Sequence, residues 1–373
     1  MDVSVVIGTR PEIVKMAPIV LALNEAGVPC SLVHTGQHYD RELSEVFLDE
    51  LGLGKPDAFL EVGSGSQTVQ TAQAMLRLEA AFAREGPKLV LVEGDTNTVL
   101  AAALASVKIG IDVGHVEAGL RSHDLRMPEE HNRRLTDHLS SFLFAPTKVS
   151  EANLRKESVW GRVYVTGNPA IDACLMYLPS AETRSKITEE VRYDEFCLAT
   201  AHRAENVDNP ETLREFVKIF TSSPKPVVYP IHPRTVKRLK EFGLYDKISQ
   251  SENVQLMPPM GYFDFLVLMK QSLFILTDSG GIQEEATAPN IRKKVFVLRR
   301  STERPEAVAS GYAQVVGTEA KAALSRIREY VEDPGILAAQ SPYGDGKSGK
   351  RIVGIIEELL ASGTMPLSES AQF

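Results

Sequence analysis

The residues of this sequence that most clearly suggest chemistry follow a short apolar run at residues 273–276. Ser279, Gly280 and Gly281 come shortly after that run, and a helical pattern begins at Ile282. Glycine lets the backbone approach a ligand closely, and the first turn of a helix presents unpaired N–H groups and the positive end of the helix dipole. The turn therefore predicts a cradle for a phosphate group.

Charged residues accompany this turn. Glu284 and Glu285 fall in the first turn of the predicted helix (282–288), where a carboxylate could accept hydrogen bonds from ribose hydroxyls. Arg304 comes after the next apolar run (295–298) and could reach back to the same site. The alternative interpretation is an ordinary strand–turn–helix unit with a capped first turn.

Two acidic residues follow consecutive predicted strands in the first half of the chain. Asp95 comes after the apolar run 89–92, and Glu117 directly follows the run 112–116. Ligands of open α/β sheets bind at the carboxyl ends of the strands, and carboxylates there can transfer protons. The apolar neighbours of Glu117 predict a raised pKa. Asp95 could instead cap the helix that follows it.

Cationic residues and a histidine occupy similar positions. Arg10 and Lys15 follow the predicted strand 3–7, where they could contact a diphosphate, although solvated surface cations are the alternative. His202 follows the predicted strand 196–200. The spacing of the histidines fits no set of metal ligands, so we expect no metal site.

Composition limits the function classes. The chain has 373 residues, of which 43% are hydrophobic and 24% charged, a profile typical of a globular protein of two ordinary domains. The formal net charge of −8 argues against a nucleic-acid-binding protein. Three widely spaced cysteines indicate a reducing compartment. With no long apolar run and no signal-like start, we expect a cytoplasmic protein and no membrane partner.

Apolar runs alternate with helical patterns along the chain, which predicts α/β architecture with parallel sheets. Helices are predicted at 169–178 and 181–191, where the first half gives way to the second. Further helices are predicted at 321–331, 335–340 and 350–361, the last of them amphipathic.

Several unusual motifs occur in one order along the chain. They are Gly8-Thr9-Arg10-Pro11-Glu12, Gly94-Asp95-Thr96, His115-Val116-Glu117-Ala118-Gly119-Leu120-Arg121, Pro128-Glu129-Glu130, Asp278-Ser279-Gly280-Gly281-Ile282-Gln283-Glu284-Glu285-Ala286 and Thr302-Glu303-Arg304-Pro305-Glu306. With these motifs the chain resembles the non-hydrolysing UDP-N-acetylglucosamine 2-epimerases from residue 8 to about residue 350.

The resemblance implies a fold of the glycosyltransferase-B type. Two Rossmann-like α/β domains would face each other across a cleft, and the C-terminal helix would cross back to the first domain. The first domain would span 1–168 and be completed by about 347–373, and the UDP-binding domain would span 169–346. A homodimer is implied by the resemblance alone.

The resemblance also implies a reaction, the reversible epimerisation of UDP-N-acetylglucosamine to UDP-N-acetylmannosamine at carbon 2. UDP would be eliminated to give a 2-acetamidoglucal and then added back, supplying activated N-acetylmannosamine for surface polysaccharide or glycan synthesis. The implied catalytic residues are Asp95, Glu117, Glu129 and His202. Only the resemblance singles out Glu129. Its alternative interpretation is an acidic residue that stabilises the positive N-terminal end of a helix. The implied substrate-binding residues are Arg10, Lys15, Phe265, Ser279, Gly280, Gly281, Glu285 and Arg304.

Three other functions stay open. They are a hydrolysing 2-epimerase that releases free N-acetylmannosamine, a glycosyltransferase of the same fold, and a non-catalytic sensor of sugar nucleotides. We expect no cofactor, because no dinucleotide fingerprint follows a predicted strand. The glycine-rich segment 344–350 matches the residue pattern of such a fingerprint but does not follow a predicted strand, so it is interpreted as a turn.

Some relatives in this family are activated by their own substrate at a segment that corresponds to Gln37-His38-Tyr39-Asp40. This chain has Asp40 where those relatives have a second glutamine. We therefore expect weak or absent substrate activation.

Overall fold

The computed structural model describes residues 1–36, 41–364 and 366. The segment from Gln37 to Asp40, on which the expectation of weak substrate activation depends, lies outside the described residues. The chain forms two compact units. Unit 1 comprises residues 1–173 and the chain from residue 343 onward, and unit 2 comprises residues 174–342.

Unit 1 is built on a parallel sheet of seven strands. They are β1 (Val3–Ile7), β2 (Cys30–His34), β3 (Ala58–Phe59), β4 (Leu89–Glu93), β5 (Asp112–Val116), β6 (Phe142–Ala145) and β7 (Arg162–Val165). Their order is β3-β2-β1-β4-β5-β6-β7, so the chain direction across the sheet reverses between β1 and β4. Every residue of β1, β4 and β5 is buried, as expected for parallel strands covered on both faces. A reversal of this kind marks where open α/β sheets bind ligands.

Unit 2 repeats this plan with a parallel sheet of six strands. They are β8 (Cys197–Thr200), β9 (Val227–Pro230), β10 (Val254–Met257), β11 (Phe274–Thr277), β12 (Lys294–Val297) and β13 (Ala313–Val315). The order is β10-β9-β8-β11-β12-β13, with the reversal between β8 and β11. The segments with His202 and with the Ser279 turn follow these two strands.

Helices connect the strands in both units. Unit 1 contains α1 (Arg10–Glu25), α2 (Arg41–Glu50), α3 (Gln67–Glu85), α4 (Asn97–Lys108), α5 (Pro128–Leu139) and α6 (Lys148–Lys156). Helix α7 (Pro169–Arg184) carries the chain from unit 1 into unit 2. Unit 2 contains α8 (Ile187–Glu190), α9 (Ala204–Val207), α10 (Pro210–Thr221), α11 (Pro233–Glu241), α12 (Tyr245–Ser249), α13 (Tyr262–Gln271), α14 (Gly280–Glu285), α15 (Pro305–Ala309) and α16 (Ala320–Glu332).

The last helix, α17 (Ser348–Ser362), returns to unit 1 and packs against α1. The two helices approach closely at Gly349, where a Cβ atom would lie 3.0 Å from the carbonyl oxygen of Pro18. The backbone N–H of Gly349 also donates to Asp172 at 2.8 Å. Glycine at this position therefore permits the close packing, and the predicted return of the C-terminal helix is confirmed.

Two predicted helices differ from the structure. Residues 333–342 contain no helix, so the helix predicted at 335–340 is wrong. Pro334 lacks a backbone N–H and Gly335 has a φ of +62°, and both features oppose a helix. The helix predicted at 181–191 is interrupted, because the Ser185 hydroxyl accepts from the backbone of Ile187 and so competes with the helical hydrogen bonds.

Large apolar side chains fill the interior of each unit. In unit 2, the fully buried aromatic residues include Phe216, Phe220, Tyr229, Phe274 and Phe296. Their packing fixes the strands whose ends carry the candidate site residues. Within the described residues, every helix is too short or too polar to cross a membrane.

Candidate active site

The carboxyl ends of β4 and β5 bring acidic residues to one edge of the unit 1 sheet. Glu93 ends β4 opposite Val116 of β5, and Glu117 follows Val116 directly. Asp95 comes two residues after Glu93. The backbone of Glu117 is left-handed, with a φ of +68°, which is uncommon for a residue other than glycine. Such outliers are concentrated at functional sites.

The carboxylate of Glu117 is held by two donors. Lys15 Nζ donates to its two oxygens at 2.8 and 2.9 Å, and Asn168 Nδ2 donates to Oε1 at 3.2 Å. The Glu117 side chain is only 4% exposed. The prediction of apolar surroundings for this carboxylate is therefore wrong. The groups that contact it come from Lys15 and Asn168, which are distant in sequence, and not from its apolar sequence neighbours.

Lys15 has partners that the sequence did not suggest. Besides Glu117, its ammonium lies 3.0 Å from Glu93 Oε1, and the residue is buried. Two carboxylates thus share one cation inside unit 1. The sequence predicted that Lys15 binds a diphosphate, whereas the contacts in the structure make it the counter-ion of the acidic groups.

Glu93 and Glu12 are buried acids to which the sequence alone gave no role. Burial raises the pKa of Glu93 well above its usual value, Lys15 opposes this rise, and Glu117 adds to it. Burial also raises the pKa of Glu12 to about 7, against hydrogen bonds from the backbone of Gly8 at 2.6 Å and Thr9 at 3.2 Å. Glu12 ends one of the motifs and Glu93 directly precedes another, so their positions were visible in the sequence, but their burial was not.

Helix α5 fixes the segment that carries Asp95. Arg133 Nη2 donates to Asp95 Oδ2 at 2.7 Å, and Asn132 Nδ2 donates to the Asp95 carbonyl oxygen at 3.0 Å. From the strand side, His115 Nε2 donates to the carbonyl oxygen of Gly94 at 2.8 Å. Asp95 is therefore oriented from two directions, as an acid or base in a reaction must be.

The two glutamates at the start of α5 differ in environment. Glu130 is fully buried and accepts from the backbone and hydroxyl of Ser122, each at 2.9 Å. Glu129 is more exposed than its neighbour. Glu130 thus stabilises the loop before the helix, and Glu129 is the accessible member of the pair. The role of Glu129 as a third acid stays a prediction.

In unit 2, the small-residue turn leads directly into α14. Ser279 precedes the helix and Gly280 is its first residue, so the helix begins two residues earlier than predicted. A Cβ atom on Gly280 would lie 2.6 Å from Glu303 Oε1, whereas one on Gly281 would meet nothing within 4 Å. Gly280 is therefore required by the approach of Glu303, and Gly281 leaves open space beside the turn.

Arg304 lies beside this turn, with its guanidinium carbon 3.5 Å from the position that a Gly280 Cβ would take. Its charge is paired with Glu284 through Nε and approaches Glu303 at 3.7 Å through Nη1. Arg304 is thus near the predicted phosphate cradle, and it is already balanced by two buried carboxylates.

Two further arginines converge on Glu303, and the sequence gave them no role. Arg299 Nη1 donates to Glu303 Oε2 at 2.8 Å, and Arg203 Nη2 donates to Oε1 at 3.2 Å. Three guanidinium groups therefore surround a single carboxylate next to the turn. These arginines place hydrogen-bond donors beside the turn, and their charges are shared with the carboxylates of Glu303 and Glu284.

Asp278 joins the His202 segment to the Ser279 turn. Its buried carboxylate accepts from the backbone N–H groups of His202 and Arg203 at 3.0–3.2 Å and from Asn206 Nδ2 at 3.1 Å. The His202 side chain is 45% exposed, and its Nδ1 lies 3.8 Å from Asp278 Oδ1. Asp278 thus fixes the backbone of both segments and leaves the imidazole accessible.

The remaining predicted site residues lie at the surface or in partly buried positions. Tyr262 donates its O–H to Glu285 Oε1 at 3.4 Å, and Phe265 is half-buried on α13. Arg10 is exposed, with its guanidinium 4.8 Å from the ring centroid of Phe47. Each is accessible enough to contact a ligand, and their roles stay predictions.

Among the described residues, no group of three or more His, Cys, Asp or Glu side chains is arranged to hold a metal ion. Among the acidic residues of the unit 1 sheet edge, Glu93 and Glu117 surround the ammonium of Lys15 instead.

Comparison with known proteins places these features in one family. The sequence model of the UDP-N-acetylglucosamine 2-epimerase family matches residues 21–357. The UDP-N-acetylglucosamine 2-epimerase of Methanocaldococcus jannaschii is 43% identical over 365 residues, covering 95% of this chain and 99% of that protein. Its crystal structure in complex with UDP-GlcNAc and UDP has a TM-score of 0.89, covering 96% of this chain and 100% of that one.

A second relative acts on a different sugar nucleotide. The UDP-2,3-diacetamido-2,3-dideoxy-D-glucuronate 2-epimerase of Pseudomonas aeruginosa is 35% identical over 370 residues, covering 96% of this chain and all of that protein. The family model, the two relatives and the crystal structure all match almost the full length of the chain, so none of these matches depends on one domain alone.

The two parallel α/β units, with a C-terminal helix that returns to the first, define a fold of the glycosyltransferase-B type. Within that fold, this chain belongs to the UDP-N-acetylglucosamine 2-epimerase family, whose members are isomerases. The predicted fold class, family and class of enzyme are confirmed.

Proposed function

We propose that this enzyme interconverts UDP-N-acetylglucosamine and UDP-N-acetylmannosamine without net hydrolysis. The observation that carries the proposal is the gathering of Asp95 and Glu117 at one sheet edge, with Glu117 held by Lys15, in a chain of this family. The M. jannaschii relative, which was crystallised with UDP-GlcNAc and UDP, supports the choice of substrate.

The chemistry requires more than removal of a proton. The hydrogen on carbon 2 of the sugar is not adjacent to a carbonyl group, so simple deprotonation is unfavourable. Loss of that proton to a base, together with cleavage of the bond between carbon 1 and the UDP oxygen, gives a 2-acetamidoglucal and UDP. Protonation of carbon 2 on the opposite face and return of the UDP oxygen to carbon 1 complete the epimerisation.

Unit 1 supplies the acid and base groups in this proposal. Asp95, Glu117 and Glu129 exchange protons with the sugar, and each is fixed by its own element or its partners. Proton transfer by positioned groups of this kind contributes on the order of 10²–10⁴ in rate. Lys15 compensates the charge of Glu117 instead of binding the diphosphate.

Unit 2 binds the nucleotide. Arg304 and the turn formed by Ser279, Gly280 and Gly281 contact the diphosphate, which leaves as an anion and needs stabilisation at that moment. His202 lies on the segment that Asp278 fixes beside this turn. The carboxylate of Glu285 accepts from the ribose, Phe265 contacts the uracil, and Arg10 adds a contact to the diphosphate from unit 1.

The wider context belongs to the same proposal. We place the enzyme in the cytoplasm, where its product would supply N-acetylmannosamine for surface polysaccharide or glycan synthesis. We infer a homodimer and a division of the chain into domains 1–168 with 347–373 and 169–346, as in the family.

Incubation with UDP-N-acetylglucosamine alone, followed by proton NMR, tests the proposal. We expect a stable mixture of the two UDP-sugars and no free N-acetylmannosamine. Release of the free sugar with UDP would indicate a hydrolysing epimerase instead. Turnover that needs an added sugar acceptor would indicate a glycosyltransferase, and binding without turnover would indicate a sensor.

The P. aeruginosa relative supplies a second substrate for the same test. Incubation with UDP-2,3-diacetamido-2,3-dideoxy-D-glucuronate should give slow turnover or none. Turnover of this sugar alone would keep the reaction type of the proposal and overturn its choice of substrate.

A further inference from the structure

We propose that Glu93 is a positioning residue that shares one proton with Glu117, and that this shared proton keeps Glu117 ionised and ready to act as a base. The inference rests on the proposed function in one respect, because it gives Glu117 a part in proton transfer. The existence of the shared proton itself does not depend on any substrate.

The geometry brings the two carboxylates to one cation. Glu93 is the last residue of β4 and is 1% exposed, and Glu117 follows the neighbouring strand β5. Lys15 Nζ lies 3.0 Å from Glu93 Oε1 and 2.8 Å from Glu117 Oε2. Two buried carboxylates thus converge on one ammonium. That ammonium can balance only one of them, so a proton on the other removes the excess negative charge.

The ionisable groups that face Glu93 come from two elements. Lys15 and Glu12 come from α1, and Glu117 comes from the segment after β5. If all three glutamates were ionised, three negative charges would face one ammonium in a region without solvent. Like charges at such distances favour protonation of one partner, and burial acts in the same direction.

The proton is expected on Glu93 because Glu117 has the better partners. Glu117 accepts two hydrogen bonds from the ammonium and one from Asn168 at 3.2 Å, whereas Glu93 has a single contact with the ammonium at 3.0 Å. Burial raises the pKa of Glu93 well above its usual value. Glu93 therefore donates to Glu117, and the single charge of Lys15 is matched by the single charge of Glu117.

This arrangement makes activity depend on the protonation of Glu93. When Glu93 loses its proton at alkaline pH, a second negative charge appears beside Glu117 and raises the pKa of Glu117. The strength of Glu117 as a base for the proton on carbon 2 therefore changes with the protonation of Glu93. The two carboxyl groups titrate as a pair. Loss of their shared proton has an apparent pKa that belongs to the pair and not to either residue.

Infrared spectroscopy of the substrate-free enzyme tests the shared proton directly. At about pH 8, where Glu12 is mostly ionised, wild type should show the carbonyl band of a protonated carboxylic acid. Glu93→Gln should lose that band, and the control Glu151→Gln on the surface of α6 should keep it. Persistence of the band in Glu93→Gln would overturn the inference.

Kinetics test the effect on Glu117. Glutamine donates the same hydrogen bond but cannot ionise, so Glu93→Gln should keep kcat within about threefold at neutral pH. A change in kcat that accompanies the ionisation of Glu93 at alkaline pH should be present in wild type and shifted or absent in Glu93→Gln. An unchanged pH profile would overturn the inference.

If Glu93→Gln does not fold, Glu93→Asp replaces it in the infrared experiment. Glu93→Asp should shift the carbonyl band, and a band at the wild-type position would also overturn the inference.

The two readouts separate this inference from the proposed function. If wild type has no epimerase activity but its infrared band disappears in Glu93→Gln, the proposed function is contradicted and the shared proton is supported. If wild type is an active epimerase but the band persists in Glu93→Gln, the shared proton is contradicted and the proposed function is supported.

Discussion

The candidate groups of unit 1 and unit 2 handle charge in opposite ways. In unit 1, the buried carboxylates of Glu93 and Glu117 contact one ammonium, and burial raises the pKa of Glu93 and of Glu12. In unit 2, three arginines surround the buried Glu303, and arginine stays protonated at any pH that a protein tolerates. The first arrangement suits groups whose charge must change during a reaction. The second suits groups that must stay charged to hold an anion.

The two regions also differ in what fixes their backbone. In unit 1, side chains of α5 and β5 hold the Asp95 segment, and Glu117 adopts a left-handed backbone. In unit 2, a single carboxylate, Asp278, accepts from two backbone N–H groups of the His202 segment. Variants of the acidic groups in the first region should change rate, and variants of the arginines in the second should change nucleotide affinity.

The largest expected effect is that of Glu117→Gln. The amide keeps the size of the side chain but cannot accept a proton, so kcat should fall by at least about a hundredfold. Affinity for UDP, measured by calorimetry, should stay near that of wild type because the proposal assigns Glu117 to proton transfer at the sugar and gives it no contact with the nucleotide. A large loss of UDP affinity with an unchanged kcat would reverse the assignment of the two regions.

Glu12→Gln tests the electrostatics of unit 1 through stability. The folded-state pKa of Glu12 is about 7, above the ordinary value of 4.5, so the folded protein binds this proton more tightly than the unfolded chain does. Its stabilising contribution is complete below about pH 4.5 and is lost as the pH rises to about 7. Relative to wild type, Glu12→Gln should therefore gain about 2–3 kcal/mol in free energy of unfolding between about pH 5 and pH 8.

Denaturant unfolding of both proteins at the two pH values measures this gain. Glu151→Gln is the matched control, because hydrogen bonds from Arg155 and Lys148 lower the pKa of the partly exposed Glu151. Its contribution is present above its ordinary pKa and is lost as the pH falls, so its pH dependence has the opposite sign. Equal behaviour of the two variants would show that Glu12 does not titrate near neutral pH.

Lys15→Met and Arg304→Met compare a cation from each region. Arg304→Met should weaken UDP binding by roughly 1.5–3 kcal/mol, the usual size of a charge-assisted contact. Lys15→Met should leave UDP affinity nearly unchanged and lower kcat, because its ammonium contacts Glu93 and Glu117. If calorimetry gave equal losses for both variants, Lys15 would be a ligand of the diphosphate after all.

The smallest expected effect is that of His202→Ala on stability. Its side chain is 45% exposed, so the free energy of unfolding should change by no more than about 0.5 kcal/mol, while kcat falls at least about tenfold. His232→Ala is the control, since the two rings are 6.0 Å apart and His232 Nδ1 accepts from the backbone of Arg234 at the start of α11. The control should lose more stability and less rate. Equal losses of stability and rate in His202→Ala would indicate a structural histidine.

The fold could be predicted from the sequence because its signals are local. Apolar runs marked the strands, and the order of the motifs along the chain indicated the family. The helix predicted at 335–340 was wrong because Pro334 and Gly335 outweighed its pattern. Local rules thus identified most elements and failed where two of them conflicted.

The partners within the candidate site could not be predicted in the same way. Sequence position placed Asp95, Glu117 and His202 at strand ends, but it did not show that Lys15 from α1 reaches Glu117, 102 residues away. Sequence position likewise did not explain why glycine is required at position 280. The reason is that Glu303, from another segment, approaches the place where a side chain would lie. Contacts between distant segments depend on side-chain direction, which periodicity does not specify.

The central claim is that acid and base groups of unit 1 exchange the hydrogen on carbon 2 while UDP leaves and returns. Reaction of UDP-N-acetylglucosamine in deuterium oxide, followed by NMR and mass spectrometry, tests this claim most directly. We predict one deuterium at carbon 2 of the UDP-N-acetylmannosamine formed, with the total amount of UDP-sugar nearly conserved. Product without deuterium at carbon 2 would contradict the claim, because the bond between carbon 2 and its hydrogen would then never have been open to protons from solvent.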